Sequence, residues 1–88
     1  MVNEVVRMIL VWRNEESSVR YVEGAIISAL RLKRFWRRRG LSEDEAMKRA
    51  VKQAIGMIKV SGLRDDEIVT ILRELKRMTE AVLEHVEK

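Results

Sequence analysis

The C-terminal segment carries the residues that come closest to a metal-ligand pattern. His85 is the single histidine, and Glu80 and Glu84 are four residues apart, which places both carboxylates on one face of a helix. A zinc site here would have no thiolate ligand, because the chain has no cysteine. Carboxylates on the outer face of an amphipathic helix are usually only solvated, and a lone histidine near a helix end usually complements the helix dipole. We therefore predict no metal site and no cofactor.

Residues suited to nucleophilic catalysis are equally sparse. Ser17 and Ser18 are adjacent hydroxyls, but the imidazole of His85 is far away in sequence and no third catalytic group is evident. The four glycines are scattered and none follows a strand, so the chain has no phosphate-binding loop. The sequence predicts a protein that is not an enzyme.

Charge is distributed unevenly. Residues 31–59 contain ten Lys or Arg against three acids, whereas residues 65–88 contain four against seven. Arginine side chains bind phosphates, and each neutralised phosphate releases counterions. We expect a small accessory nucleic-acid-binding protein that contacts DNA or RNA phosphates without strong sequence specificity, through one contiguous basic face of the second and third predicted helices. The candidate residues are Arg31, Arg34, Arg37, Arg38, Arg39, Lys48, Lys52 and Lys59.

Other interpretations of the cations stay open. They can complement a helix dipole, at about 0.3–1 kcal/mol each, or meet anionic headgroups at a membrane surface. They can also form a solvated face, since a chain without proline and rich in Arg and Glu is typical of thermophiles. Phe35 and Trp36 can stack on bases, although Trp36 lies on an apolar arc and is expected to be buried. A helix-turn-helix is rejected because its second helix would present Asp65, Asp66 and Glu67 to phosphate.

Two similar segments, 40–45 and 62–67, mark helix boundaries. In each, a glycine can adopt the left-handed conformation that ends a helix, and acids follow where the next helix begins. Ser42 and Glu45 predict a capping box, and Asp65 is the predicted N-cap of the last helix because Arg64 cannot accept a bond. Helices are predicted at about 2–13, 16–39, 43–60 and 65–87, with a junction at 14–18; alternatively, the first two form one long, bent helix.

Apolar residues recur at helical spacing in each segment. The first helix is apolar nearly all round between Val5 and Trp12, apart from Arg7. The predicted core arc of the second is Val19, Val22, Ala25, Ile26, Ala29, Leu30, Leu32 and Trp36. That of the third is Ala46, Met47, Ala50, Val51, Ala54, Ile55 and Ile58, and that of the fourth is Ile68, Ile71, Leu72, Leu75, Met78, Val82 and Val86.

These patterns predict one all-α domain over residues 1–88, a small antiparallel bundle of three to four helices. A chain of this length buries only about 60–65% of its unfolded surface, so association with a second copy would add stability. A patch of small residues on the second helix, Gly24, Ala25, Ser28 and Ala29, favours close helix packing, within one chain or in a homodimer. The alternative function is a protein-interaction or homo-oligomerising subunit of a larger assembly. With no signal peptide or membrane span predicted, we expect a cytoplasmic protein.

Overall fold

The chain is all-α over the residues that the structure describes. The computed structural model describes the backbone from residue 4 to 88 and the side chains from residue 16 to 88. Within this range there are three helices and no strand: α1 (Glu4–Arg38), α2 (Glu43–Lys59) and α3 (Asp65–Glu87). The bounds predicted for the third and fourth helices are confirmed to within one residue. The side chains between Val5 and Trp12, predicted to be apolar all round, lie outside the described residues.

The predicted junction at residues 14–18 is wrong, because α1 passes through it without interruption. The alternative of one long helix is confirmed. None of these residues is glycine or proline, so each can stay helical at a cost below about 1 kcal/mol. Glu16 and Arg20 form an ion pair of 2.9 Å one turn apart, which also favours the helix. The 35 residues of α1 span about 52 Å at 1.5 Å per residue. No helix of the described part is both long enough and apolar enough to cross a membrane.

The two predicted glycine turns are confirmed. Gly40 has φ +98° and Gly62 has φ +77°, both in the left-handed region. At the end of α1, the amide of Gly40 donates to the carbonyl of Arg37 and the amide of Leu41 donates to that of Trp36, at 3.1 Å each. This pair of bonds is the Schellman arrangement, which satisfies the last carbonyls of the helix and directs the chain back along it.

Capping at the two following helices differs. Ser42 caps α2 as predicted, because its Oγ accepts from the amide of Glu45 at 3.2 Å. At α3 the prediction of Asp65 as N-cap is wrong, since Asp65 is already helical and Arg64 occupies the N-cap position. The carboxylate of Glu67 reaches back and accepts from the Arg64 amide at 3.4 Å and from its Nε at 3.0 Å. The acid thus holds Arg64 at the start of α3 by accepting from both its amide and its guanidinium.

Helix α2 runs back along α1 through small side chains. Val22, Ala25 and Ala29 of α1 are buried, and so are three alanines of α2, Ala46, Ala50 and Ala54. The α1–α2 contact is the most extensive in the molecule. The Tyr21 hydroxyl donates to the carbonyl of Met57 at 2.9 Å near the end of α2. Ala25 and Ala29, of the predicted small-residue patch, therefore serve packing within the chain, because alanine lets two helix backbones approach closely.

Helix α3 packs loosely. It contacts α1 through its first half and barely touches α2. Its one buried side chain is Ile71, whereas Met78, Val82 and Val86 of the predicted core arc are 54–73% exposed. In the other arcs Leu30, Met47, Val51 and Ile55 are also exposed, at 44–47%. Periodicity predicted that these four residues are buried. A third helix would have to cover them, and α3 packs on another part of α1 with few contacts to α2.

Candidate functional site

All eight cations proposed to contact phosphate are exposed. Their exposure fits either a binding face or a solvated surface. What separates these possibilities is whether the side chains share one surface and whether carboxylates neutralise them. The structure divides them into four positions on the α1–α2 hairpin.

The first position is the outer side of α1. Arg31, Arg34 and Arg38 are three, four and seven residues apart, so they share one side of the helix. That side is opposite to the one on which Val22, Ala25 and Ala29 are buried. None of the three arginines has an ion pair with a described carboxylate. Arg34 and Arg38 also line a shallow groove with Leu30, Lys33 and Glu43.

The second position is the start of α2, where an acid partly neutralises the cations. The carboxylate of Glu43 forms ion pairs with Lys33 and, at 3.5 Å, with Arg37 Nε. The hydrogen bond from Lys33 is the main cause that lowers the pKa of Glu43 below its ordinary 4.5, and the charges of Lys33 and Arg37 lower it further. Arg37 also donates to the carbonyl of Leu41 at 2.9 Å. Its guanidinium therefore has structural partners, unlike those on the outer side of α1.

The third position is an aromatic cluster at the end of α1. The rings of Phe35 and Trp36 meet edge to face at 5.1 Å. The guanidinium of Arg39 lies 4.8 Å from the centre of the Phe35 ring, and that of Arg49 lies 4.2 Å from the centre of the Trp36 ring. Each ring thus already has a cation over one face. Trp36, which the sequence predicted to be buried, is half-buried beneath Arg49.

The fourth position is the outer side of α2. Lys48, Lys52 and Lys59 share one side of the helix, opposite to the alanines that face α1. Because the two helices face each other through their buried sides, these lysines and the outer arginines of α1 point in opposite directions. Two helix diameters of about 10 Å separate the two groups. The eight cations therefore do not form the single contiguous face that was expected.

Exposed apolar side chains form a second kind of surface. Met47, Val51 and Ile55 lie in a row on α2, next to the row of buried alanines and bordered by Lys48 and Lys52. Leu30 of α1 is 47% exposed, and Ile26, one turn before it, packs on the alanine core. Periodicity detected all five apolar residues as core. It could not show that this chain leaves most of them uncovered.

The residues that come closest to a metal-ligand pattern, Glu80, Glu84 and His85, lie near the end of α3. Among the side chains at 16–88, no three His, Asp or Glu converge on a point where a metal ion could bind. His85 is exposed, and the Glu80 carboxylate lies 4.0 Å from the Nζ of Lys76.

Comparison of the chain with protein-family models, with curated proteins and with solved structures finds no match. The function must be inferred from the surfaces described above.

Proposed function

We propose that this protein is a non-enzymatic interaction subunit, a single helical domain that becomes a closed antiparallel bundle by association with further copies of itself. The observation that carries the proposal is how open the single chain is. Its radius of gyration is 16.6 Å and its longest dimension 60 Å. A compact domain of 88 residues would have a radius of gyration of about 12 Å.

The composition of the core supports the same proposal. Five of the seven buried hydrophobic residues are alanines, and the other two are Val22 and Ile71. Thirteen large hydrophobic side chains of the described part are 39–79% exposed. Burying a large aliphatic side chain contributes about 1.5–3 kcal/mol. Burying an alanine side chain contributes less, because it removes only one methyl group from water. The single chain therefore leaves part of its available hydrophobic stabilisation unused, and association would supply it.

Light scattering coupled to size-exclusion chromatography tests this proposal. We expect the mass of an assembly of two or more chains, each of 10.3 kDa, at micromolar concentration. The mass should persist at high salt, because apolar burial is not screened by ions. A mass of one chain at every concentration up to the solubility limit would refute self-association. Added oligonucleotide should leave the number of protein chains in each assembly unchanged.

Nucleic-acid binding is the second candidate, and the outer arginines of α1 favour it. Arg31, Arg34 and Arg38 are exposed, lie in one row and have no carboxylate partner among the described residues. Three guanidinium groups in a row fit successive phosphates of one strand. This narrows the predicted site from eight residues to three.

A matched pair of triple variants tests the second candidate. Replacing Arg31, Arg34 and Arg38 with alanine should weaken binding to DNA or RNA, and should reduce the slope of log affinity against log salt by about 2–3. The control replaces Lys48, Lys52 and Lys59 with alanine, which removes the same charge from the outer side of α2. Equal losses in both variants would indicate unspecific attraction to net charge, and no binding at low salt would exclude this candidate.

A further inference from the structure

Among the side chains from residue 16 to 88, two groups of apolar residues remain about half exposed or more. The first, the hairpin face, consists of Ile26, Leu30, Met47, Val51 and Ile55. Except for Ile26, which is half-buried, its residues are 44–47% exposed. The second, the α3 arm, is the last part of α3 from residue 78 onward, with Met78, Val82, Leu83 and Val86 exposed at 53–73%. One is a shallow face between two helices, and the other is a single projecting helix.

The hairpin face is continuous across α1 and α2. Ile26 packs on the shared alanine core, and Leu30 follows it one turn later on the same side of α1. Leu30 also lies in the groove that Glu43 closes from the α2 side. Met47 comes one turn after Glu43 on α2, so the apolar rows of the two helices border the same side of the hairpin. A helix laid along this side would contact both rows, as the third helix of a bundle does.

The α3 arm does not reach this face in its own chain. Helix α3 meets α1 near Ser18, Val19 and Glu23, which line shared cavities with residues of α3 between Arg64 and Met78. Contacts with α2 are nearly absent. Met78, Val82 and Val86 continue the row that begins with the buried Ile71, so the packing stripe of α3 extends beyond its support. Within the described residues, each chain thus has an α3 arm that packs on nothing and a hairpin face that no helix covers.

We infer that two copies of this chain exchange their α3 arms, so that the arm of each lies on the hairpin face of the other. This deepens the proposed self-association by naming its surface, and it rests on that proposal. The occupant is a second copy because every chain with an open hairpin face also carries an unsupported arm. A two-fold axis then covers both surfaces in both chains and closes the assembly.

Charge favours the same pairing. Arg34 on α1 and Lys48 and Lys52 on α2 border the hairpin face. The α3 arm carries three acids against one lysine, namely Glu80, Glu84, Glu87 and Lys88. These acids lie on the side of the arm away from Val82, so they attract the basic hairpin at longer range without contacting the face, whereas two arms or two hairpins would repel each other. Attraction of this kind orients the partners, and the apolar contact supplies the affinity.

Single cysteines introduced into this cysteine-free chain test the exchange. One variant carries Val51→Cys on the hairpin face, and the other carries Val82→Cys on the arm. Mixed and mildly oxidised, the two should form a covalent dimer at least about tenfold faster than a mixture with Glu80→Cys, because only Val82 faces the partner. Glu80 is the matched control, since it lies two residues earlier on the opposite side of the same arm.

The double variant Val51→Cys with Val82→Cys separates exchange from closure within one chain. Exchange predicts covalent dimers on a non-reducing gel. A disulfide within one chain, with a mass of 10.3 kDa, would show that α3 folds back on its own hairpin and would overturn the inference. Equal rates with Val82→Cys and Glu80→Cys would also overturn it. If scattering still shows an oligomer, self-association survives without the exchange; if scattering shows single chains, both proposals fail.

A pair of charge variants provides an independent readout. Val51→Glu on the face and Val82→Glu on the arm should each raise the dimer dissociation constant by about 100-fold or more, because an unpaired carboxylate would have to be desolvated. Both positions are about half exposed in the single chain, so helicity by circular dichroism should be unchanged. Glu80→Gln should leave the dissociation constant within a few-fold. A dimer that tolerates both glutamates would exclude these surfaces.

Discussion

At the scale of single residues, Glu43 has the largest electrostatic role that the structure shows. It lies at the first position of α2, where a carboxylate interacts favourably with the helix dipole. It also forms ion pairs with Lys33 and Arg37 of α1 across the turn. These contacts lower its pKa, with the Lys33 hydrogen bond as the main cause. One exposed side chain thus joins the end of α1 to the start of α2 and partly neutralises Arg37, one of the eight cations expected to contact phosphate.

The lowered pKa gives a pH-dependent prediction. Above pH 4.5 the carboxylate is charged in both folded and unfolded chains, so its stabilisation is complete; it is lost as pH falls through the lower folded-state value. Glu43→Gln should therefore reduce the melting temperature near neutral pH, and its deficit relative to the parent should vanish in strong acid. Glu84→Gln is the control, because Glu84 forms no ion pair with another described side chain. A deficit that persists at low pH would contradict the assigned cause.

At the scale of elements, the two turns and the alanine contact determine how the helices meet. Gly40 closes α1 in a left-handed conformation, and the Schellman bonds turn the chain back. The alanines then allow α2 to lie close to α1 along most of its length. Neither device involves a large side chain, so the hairpin is well defined while its outer surfaces remain free.

Replacing two glycines should have opposite effects. Gly40→Ala should destabilise the protein by about 1–2 kcal/mol, because its φ of +98° disfavours a Cβ atom. Gly56→Ala should stabilise it by about 0.5–1 kcal/mol, because Gly56 is inside α2 and a Cβ there meets no atom within 4 Å. Urea unfolding measures both. If both variants changed the unfolding free energy in the same direction, backbone conformation would not be what determines the effect of alanine at Gly40 and Gly56.

Enlarging a buried alanine tests the close approach of α1 and α2. Ala50→Leu should cost about 1–3 kcal/mol, because Ala50 is 4% exposed and the added atoms would push the helices apart. Ala81→Leu is the matched control, an exposed alanine of α3 at which the same change should alter stability by less than about 0.5 kcal/mol. Equal unfolding free energies for Ala50→Leu and the parent would mean that the α1–α2 contact is looser than the structure shows.

At the scale of the whole molecule, an open shape connects stability to function. In the proposed assembly, a chain with a radius of gyration of 16.6 Å and an alanine-rich core would gain stabilisation from the copies that cover its outer faces. Folding and association would then be linked. This linkage is measurable without knowing the partner's geometry.

The melting temperature should rise with protein concentration. Association that accompanies folding shifts the midpoint by mass action, whereas a stable single chain melts at a constant temperature. Calorimetry over a hundredfold range of concentration measures the effect. The variant Val82→Glu should melt at a temperature that no longer depends on concentration. A constant midpoint for the parent protein would contradict the linkage between folding and association.

Features that depend on neighbours along the chain were predictable before the fold was known. Residues such as Gly40, Gly62 and Ser42 fixed the turns and helix bounds, because left-handed backbone and capping bonds involve residues within about five positions. The sequence also identified the apolar rows of α2, of α3 and of the second half of α1, apart from Leu83 on α3. It misplaced the junction at 14–18, where no local signal forces either a break or a continuation.

Tertiary structure alone decided which rows are covered and which charges lie together. The spacing of Met47, Val51 and Ile55 is the same whether a third helix covers them or not, so periodicity predicted burial that the single chain does not provide. Arg31, Arg34 and Arg38 share one side of α1, and Lys48, Lys52 and Lys59 share one side of α2, yet the packing of alanine against alanine directs the two sides away from each other. Both outcomes depend on the direction of one helix relative to another, which a pattern along one helix does not contain.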